Sequence, residues 1–280
     1  MTPFEQLVLD LTPRYGPGEA RSIARIVFED AFGARRPAEK VFSEVEERQF
    51  LDIRRRLLLG EPVQYVLGQA DFFGLKFSVN PAVLIPRQET EELVAWAMEW
   101  LKERALPHPA VLDVGLGSGC IGITLKAKRP EIRLFGLEKS PAALDLAEEN
   151  ARRILGDQTF TFVCGDILSP SAEQLFPGLD LIISNPPYIP LREQTLMPEH
   201  VRKYEPGLAL FVENDDPLLF YRAIAGFARR KLRPGGALFF ECNEFNAGEV
   251  AALLRTEGFE NVALRKDLSG AERMVRGELP

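Results

Sequence analysis

The tetrapeptide Asn185-Pro186-Pro187-Tyr188 follows Ser184 and the apolar run 180–183. Two consecutive prolines end a strand and hold the backbone stiff at that point. The Asn185 amide oxygen and the Pro186 carbonyl can accept both hydrogens of a planar amide or amino group, and the Tyr188 ring can stack on it. The tetrapeptide therefore predicts a site that orients a weakly nucleophilic planar nitrogen. In this prediction Asn185, Pro186 and Tyr188 are catalytic and all four residues contact the substrate; a proline-rich strand end without function is the alternative.

A second group of residues has the types that a nucleoside site needs. A predicted buried strand from Val111 continues into a glycine-rich turn, which consists of Gly115, Leu116, Gly117, Ser118 and Gly119. Glycine permits positive φ angles and close approach of a ligand to the backbone. Glu138 ends the next apolar strand, 21 residues beyond Gly117, where a carboxylate can accept from both hydroxyls of a ribose.

The rival interpretation of this loop is a nicotinamide-dinucleotide site. Gly117-Ser-Gly119-Cys-Ile-Gly122 matches G-x-G-x-x-G, a weak signal when it stands alone. The match begins two residues late, because the strand reaches its turn at Gly115, and counted from Gly115 the last position is Cys120. No candidate for hydride transfer accompanies it. The loop is more similar to that of S-adenosylmethionine sites, in which no pyrophosphate has to be bound.

Asp166 and Ile167 follow the third predicted strand of this region. A carboxylate there can accept from the amino group of adenine, and an apolar side chain can pack on the ring. A solvated aspartate in a turn is the alternative.

A parallel sheet would bring these residues together. From residue 110 onward apolar strand patterns alternate with helical patterns, which indicates a parallel sheet covered on both faces. The predicted strands are residues 110–114, 132–137, 159–163, 179–184, 237–242, 262–265 and 274–276. The last two are separated by a short turn at Ser269-Gly270, which can only join an antiparallel pair. This α/β pattern resembles a class I methyltransferase, a Rossmann-like, mostly parallel seven-stranded sheet with an antiparallel last strand.

The chain before residue 110 has a different organisation. Helical periodicity predicts helices over residues 18–32, ending at Gly33, and over residues 37–59. Residues 72–75 and 76–79 predict two short strands, and Thr90 is a candidate cap of the next helix. We expect a helical substrate-docking domain over 1–65, a hairpin linker over 66–86 and the methyltransferase-like domain over 87–280.

Composition narrows the classes of function. The net charge of −7 and the pI of about 5.2 disfavour direct binding of nucleic acid. Two histidines and three scattered cysteines give no metal-site spacing and suit a reducing compartment. No apolar run is long enough for a membrane span and no signal peptide is visible. We expect a cytoplasmic protein without metal and without membrane contact, acting as a monomer.

Taken together, these segments resemble the release-factor glutamine N5-methyltransferase family over essentially the whole chain. The segments that carry the resemblance are Glu61-Pro-Val-Gln-Tyr-Val-Leu-Gly68, Leu84-Ile-Pro-Arg-Gln-Glu-Thr-Glu91, Asn185-Pro-Pro-Tyr188, Tyr204-Glu-Pro-Gly-Leu-Ala-Leu210 and Arg265-Lys-Asp-Leu-Ser-Gly270. The resemblance implies S-adenosylmethionine as methyl donor, with S-adenosylhomocysteine as product. It implies as acceptor the glutamine of a Gly-Gly-Gln loop in class 1 peptide-chain release factors, gripped by the helical domain.

The resemblance also implies roles for residues. It places the cofactor on the loop 115–119, Glu138, Asp166, Ile167 and Asn185. Leu116 stands where the family usually has threonine, and the family's loop near Asn214 is richer in glycine. For Arg87 and Glu89, an ion pair and a catalytic role are both open. The rival functions are methylation of a ribosomal-protein glutamine, methylation of a nucleic-acid amino group, and a translation-factor-binding protein without catalysis.

Overall fold

The computed structural model describes residues 1–212 and 216–280 of the chain. Its helices are α1 (Pro3–Phe32), α2 (Glu44–Leu58), α3 (Val63–Leu67), α4 (Gln88–Arg104), α5 (Cys120–Lys128), α6 (Pro141–Leu155), α7 (Glu199–Tyr204), α8 (Gly207–Leu210), α9 (Leu219–Lys231) and α10 (Ala247–Thr256). Its strands are β1 (Gln69–Phe72), β2 (Leu75–Ser78), β3 (Ala110–Val114), β4 (Arg133–Glu138), β5 (Phe160–Cys164), β6 (Leu179–Ser184), β7 (Ile189–Pro190), β8 (Phe211–Val212), β9 (Leu232–Glu241), β10 (Glu260–Lys266) and β11 (Glu272–Glu278). The predicted departure at Asn214 lies outside the described residues.

One unit of the chain is helical and contains residues 1–69 together with residues 198–204. The predicted helix over 18–32 is confirmed as the second part of α1, which ends at Gly33 in the left-handed region. The bounds of the first part of α1 were not predicted, because Pro13, Gly16 and Pro17 interrupt the helical periodicity of the sequence. Gly16, with φ 74° and ψ 163°, marks a kink between the two parts of the helix.

The predicted helix over 37–59 is wrong in its first third. Residues 37–39 form a single 3-10 turn, and α2 begins only after Ser43. Ser43 and Glu46 form a capping box in which the Ser43 backbone N–H donates to the Glu46 carboxylate at 2.9 Å. Such reciprocal bonds satisfy the free amides of a first turn and set where the helix starts.

The helical unit also contains α7, which the sequence did not place there. The Tyr204 hydroxyl donates to the carbonyl of Leu59 at 3.2 Å. The mostly aliphatic core of the unit contains a cluster of aromatic rings, in which the Phe28 ring contacts the rings of Phe4, Phe32, Phe42 and Phe50.

The other unit contains residues 70–197 and 205–280. Strands β1 and β2 pair as predicted but begin and end earlier than expected. The two residues between them, Phe73 and Gly74, both have positive φ angles of 51° and 75°. Two positive φ angles make the two-residue turn that fits the twist of a hairpin.

The central sheet of this unit has seven strands in the order β10-β11-β9-β6-β3-β4-β5. Neighbouring strands are parallel from β9 to β5, and β11 is antiparallel to both of its neighbours. The predicted fold class is therefore confirmed. Alternate residues of each strand pack against two different apolar clusters, with Leu112 and Ile182 in one and Val111 and Leu181 in the other. The sheet is thus buried on both faces, as its near-continuous apolar strands indicate.

The register of the parallel strands brings their last residues side by side. In order across the sheet, the paired residues of this row are Phe240, Ser184, Val114, Leu137 and Val163. The residue that follows each of them in the chain lies at the same edge of the sheet; these residues are Glu241, Asn185, Gly115, Glu138 and Cys164.

Among the described residues, no helix combines the length and the apolar composition that a membrane span requires.

Candidate active site

A cavity of about 460 Å³ lies at this edge of the sheet. Ten of the predicted site residues line it: Gly115, Leu116, Gly117, Ser118, Glu138, Asp166, Ile167, Asn185, Pro186 and Pro187. Two predicted residues, Gly119 and Tyr188, are not among its lining residues. The volume is in the range of about 300–1,000 Å³ that small-molecule sites occupy, so the cavity can hold a ligand of nucleoside size.

The glycines of the loop serve two different purposes. Gly117 has φ 54°, and a Cβ added there would meet no atom of the described residues within 4 Å, so no side chain of these residues covers its backbone. A Cβ at Gly119 would lie 2.5 Å from Cδ1 of Ile123 in α5. Gly119 is therefore required by helix packing as well as by its φ of 78°, and not by contact with the cavity.

Glu138 connects the glycine loop to the start of α6. Its carboxylate accepts from the backbone N–H of Gly117 at 2.9 Å and from that of Ser140 at 2.9 Å, one on each oxygen. The residue is 8% exposed. A carboxylate has about four lone-pair sites, so each oxygen of Glu138 retains capacity to accept from a ligand.

Leu116, the departure from the family pattern in the loop, is buried and packs over strand β4. A Cβ added at Gly136 would lie 2.5 Å from Cδ1 of Leu116 and 2.7 Å from Cδ1 of Phe162. Gly136 therefore makes room for the leucine. The apolar side chain at position 116 is integrated into the sheet as well as lining the cavity.

Asp166 is held by two neighbours on its own side of the cavity. Its carboxylate accepts from the Leu168 backbone N–H at 2.9 Å and pairs with Lys139 at 2.9 Å. Partial burial acts to raise the pKa of Asp166, but these two interactions outweigh burial and lower it. Ile167 beside it is half-buried and packs against the core. Contacts of both residues with adenine stay a prediction.

The residues of the tetrapeptide after β6 differ in their burial and in their contacts. Asn185 is partly buried, Pro186 is buried, and the Asn185 side-chain Nδ2 donates to the Thr90 hydroxyl at 3.3 Å. The Tyr188 ring packs against the core, and burial raises the pKa of its phenol, which keeps the group neutral. Stacking of Tyr188 on a substrate stays a prediction, and Tyr188 is not among the residues that line the cavity.

Thr90 and Glu241 are polar residues of the site that the sequence did not assign. The prediction of Thr90 as a helix cap is wrong, because α4 begins two residues earlier with Arg87 at its cap position. The Thr90 side chain is buried and its hydroxyl donates to Glu241 Oε2 at 2.6 Å. The sequence signal that could have identified these two residues is Glu241, which is a carboxylate at the end of an apolar strand, as Glu138 is.

Arg87 forms an ion pair and also lines the cavity, so a catalytic role for it stays a prediction. Arg87 Nη2 lies 2.6 Å from Oε1 of Glu205, and the other oxygen of that carboxylate accepts from the Ile85 backbone N–H at 3.2 Å. The Glu205 side chain is 1% exposed. The pair joins the segment before α4 to the segment before α8. Glu89 is exposed on the first turn of α4.

The strand order, the glycine loop after β3 and the acidic residue at the end of β4 define a class I methyltransferase. In agreement, the family model described as "Methyltransferase small domain" matches residues 95–200. A solved methyltransferase from Pyrococcus furiosus has the same fold, with a TM-score of 0.51 at 16% identity over 85% of this chain and 98% of that one.

Curated relatives narrow the class to a family. The release factor glutamine methyltransferase of Bordetella pertussis is 38% identical over the full length of both chains. That of Bacteroides thetaiotaomicron is 35% identical over 93% of each chain, and that of Flavobacterium psychrophilum is 44% identical over 77% of this chain and 75% of its own. The chain belongs to the release factor glutamine methyltransferase family, as the resemblance implied. It is a methyltransferase, and its family implies a methyl donor of the S-adenosylmethionine type.

The packing of Leu116 on Gly136 can be tested by measuring the free energy of unfolding of a variant at position 136. Gly136→Ala should lower the free energy of unfolding by about 1–3 kcal/mol, the usual cost of overpacking a core, because Leu116 and Phe162 must move. Chemical denaturation of the full chain measures the change.

Gly248→Ala in α10 is the matched control, since a Cβ there meets no atom within 4 Å in the part of the chain that the structure describes. We expect that variant to be as stable as the wild type or more stable by up to about 1 kcal/mol. Equal stability of the two variants would contradict the packing account of Leu116.

Proposed function

We propose that the chain transfers a methyl group from S-adenosylmethionine to the side-chain amide nitrogen (N5) of a glutamine, the one in the Gly-Gly-Gln loop of class 1 peptide-chain release factors. The observation that carries the proposal is one cavity lined by Asn185, Pro186, Gly117 and Glu138. The same cavity therefore contains two hydrogen-bond acceptors for a planar –NH2 group and, beside them, a site of the kind that binds a nucleoside. The names of the relatives supply the factor and the glutamine. Such an acceptor belongs to the cytoplasm, and in this proposal the enzyme acts as a monomer.

The cavity residues fit S-adenosylmethionine. Glu138 has acceptor capacity for ribose hydroxyls, Asp166 for the amino group of adenine, and Ile167 supplies an apolar surface for the ring. Gly115 and Gly117 line the cavity without side chains. When bound, S-adenosylmethionine supplies an electrophilic methyl carbon on a sulfonium.

The acceptor side needs orientation more than it needs a base. The lone pair of an amide nitrogen is delocalised, so the nitrogen is a poor nucleophile. Asn185 Oδ1 and the Pro186 carbonyl would each accept one of its hydrogens and align it, and alignment of reactants can supply several kcal/mol of a barrier, about 7–11 in the best cases. Transfer forms the nitrogen–carbon bond, breaks the sulfur–carbon bond and releases one amide proton to water.

The rest of the tetrapeptide supports this geometry. Pro187 lines the cavity, and the rigid pair of prolines keeps the Pro186 carbonyl from rotating. The Tyr188 ring anchors the segment against the core. We assign to Tyr188 a positioning role, in which its packing against the core keeps the Pro186 carbonyl in place.

The helical unit is proposed to grip the factor. It exposes apolar side chains that its own core does not use, with Val41 85% exposed, Val45 67% and Leu59 56%. Exposed apolar groups of this size are typical of surfaces that bind a protein partner when they lie together.

The cofactor assignment predicts a loss of affinity in Glu138→Gln. Glutamine has one acceptor oxygen where glutamate has two, so it can no longer hold both Gly117 and Ser140 and bind a ribose as well. Hydrogen bonds to a charged group contribute about 1.5–3 kcal/mol, so we expect binding of S-adenosylhomocysteine to weaken about 10- to 100-fold in calorimetric titration.

The exposed Glu149 of α6 provides the control Glu149→Gln, which should bind as the wild type does. Undiminished affinity in Glu138→Gln would remove Glu138 from the cofactor site.

The acceptor assignment predicts the effect of Asn185→Ala and the preferred substrate. The variant should lose at least about 100-fold in kcat, the scale expected when a reacting group is misplaced, while it remains folded and binds S-adenosylhomocysteine. Asn246→Ala, at a helix start where the side chain makes no cap bond, should retain full activity.

The measurement is methyl incorporation from a labelled donor into three acceptors offered side by side: a release factor, a ribosomal protein and duplex DNA. We expect label in the factor alone, and none after its loop glutamine is changed to glutamate. Label in DNA but not in the factor, or near-normal turnover by Asn185→Ala, would refute the proposal.

A further inference from the structure

At the cavity wall, the Asn185 side-chain amide contacts two buried polar residues on other elements, Thr90 and Glu241. Resting on the proposed function, we propose that Thr90, held by Glu241, is a positioning residue that fixes the orientation of the Asn185 amide. In this orientation Nδ2 is turned inward to Thr90 and Oδ1 is turned to the acceptor.

The three side chains form a network of hydrogen bonds, in which Asn185 bonds to Thr90 and both of these residues bond to Glu241. Asn185 Nδ2 lies 3.3 Å from the Thr90 oxygen, and the Thr90 oxygen lies 2.6 Å from Glu241 Oε2. Thr90 and Glu241 are each 3% exposed, so water does not compete for these bonds. A network of this kind in a dry environment holds a side chain more firmly than one bond on a surface does.

Glu241 is itself fixed in position. Strand β9 pairs with β6 so that Phe240 lies beside Ser184, which makes Glu241 and Asn185 neighbours at the sheet edge. The backbone carbonyl of Glu241 accepts from the buried Tyr221 hydroxyl at 3.1 Å. The Glu241 carboxylate is therefore attached to a strand end that is held in place, and its hydrogen bond with Thr90 connects it to α4.

The direction of the bonds decides which end of the amide faces inward. An ionised carboxylate only accepts, so the single proton of the Thr90 hydroxyl is donated to Glu241. The Thr90 oxygen then has only lone pairs to offer. The NH2 end of Asn185 can bond to it, whereas the carbonyl end would bring lone pairs against lone pairs.

Ionisation of Glu241 is the condition for this direction. Burial raises the pKa of the Glu241 carboxyl to about 7, and the charge of Glu89 adds to the rise. Hydrogen bonds from Thr90 and Asn185 and the charge of Arg273 act in the opposite direction. Experiments on the orientation are therefore done well above pH 7, where the carboxylate form dominates.

The orientation has a direct consequence for the acceptor. A glutamine –NH2 needs hydrogen-bond acceptors, and with Nδ2 turned inward Asn185 presents its oxygen. With the amide reversed, Asn185 would present a second NH2 to the substrate and could accept neither of its hydrogens. Thr90 thus acts on transfer through Asn185 and need not touch the substrate.

The test replaces the Thr90 hydroxyl without changing the volume of the side chain. Thr90→Val removes both hydrogen bonds, and Thr90→Ser retains the hydroxyl. The matched control is Thr124→Val, since Thr124 is fully buried in α5 and its hydroxyl has no hydrogen-bond partner among the described residues.

The first readout requires no catalysis. In protein labelled with ¹⁵N-asparagine, the side-chain NH2 signals of Asn185 are identified by their loss in Asn185→Asp, and their exchange with solvent is measured by NMR. We expect exchange to be at least about tenfold faster in Thr90→Val, as expected for loss of a buried hydrogen bond, and near wild type in Thr90→Ser and Thr124→Val.

The second readout is methyl transfer to the release factor. Thr90→Val should lower kcat at least about tenfold with KM for the factor and affinity for S-adenosylhomocysteine within about twofold, and Thr90→Ser should recover most of kcat. A merely structural residue would not separate kcat from binding in this way.

The outcomes are decisive in each case. Equal exchange and equal kcat in Thr90→Val and Thr124→Val would overturn the proposal, and so would an equal loss in Thr90→Ser and Thr90→Val. If the wild type transfers no methyl group to the factor, the proposed function fails, while the exchange rates of Asn185 still test the positioning by Thr90.

Discussion

The alignment of four parallel strand ends in one register is the constraint on which the site depends. Val114 is paired with Leu137 on one side and with Ser184 on the other, and Ser184 with Phe240. Each functional segment begins at the next residue. A shift of one strand by a single residue would reverse the faces of its side chains. The buried cores on both faces of the sheet therefore hold the active-site register as well as the fold.

Buried carboxylates then give the loops beyond the sheet their shape. Glu138 accepts from Gly117 and Ser140, and Glu205 from Ile85 and Arg87. Asp113 accepts from the Gly122 N–H at 2.9 Å, and its burial raises the pKa of its carboxyl to about 8. Such groups are costly to bury unless they are bonded, so each stabilises one particular loop conformation. Glu138, Glu205 and Asp113 thus use their carboxylates to arrange backbone segments around the sheet edge.

The part of the site that can be predicted from sequence is the part adjacent to strands. Gly117, Glu138 and Asn185 follow apolar runs, and parallel strands bring such residues to one edge. Thr90 was misassigned because its partner Glu241 is 151 positions away, and helix-cap propensity is only local. The same limit applies to α7, since Tyr204 bonds to Leu59, 145 positions earlier. For Gly119 ligand binding stays a prediction, and its packing against Ile123 is a further reason for a glycine that one sequence does not show.

In the proposed function, the cavity presents one amide nitrogen to a methyl donor. Tandem mass spectrometry of a release factor after incubation with the enzyme and S-adenosylmethionine tests it most directly. We expect a single added methyl group on the side-chain amide of the Gly-Gly-Gln glutamine, and none with Asn185→Ala. A methyl group on a lysine, an arginine or a carboxylate of the factor would contradict it.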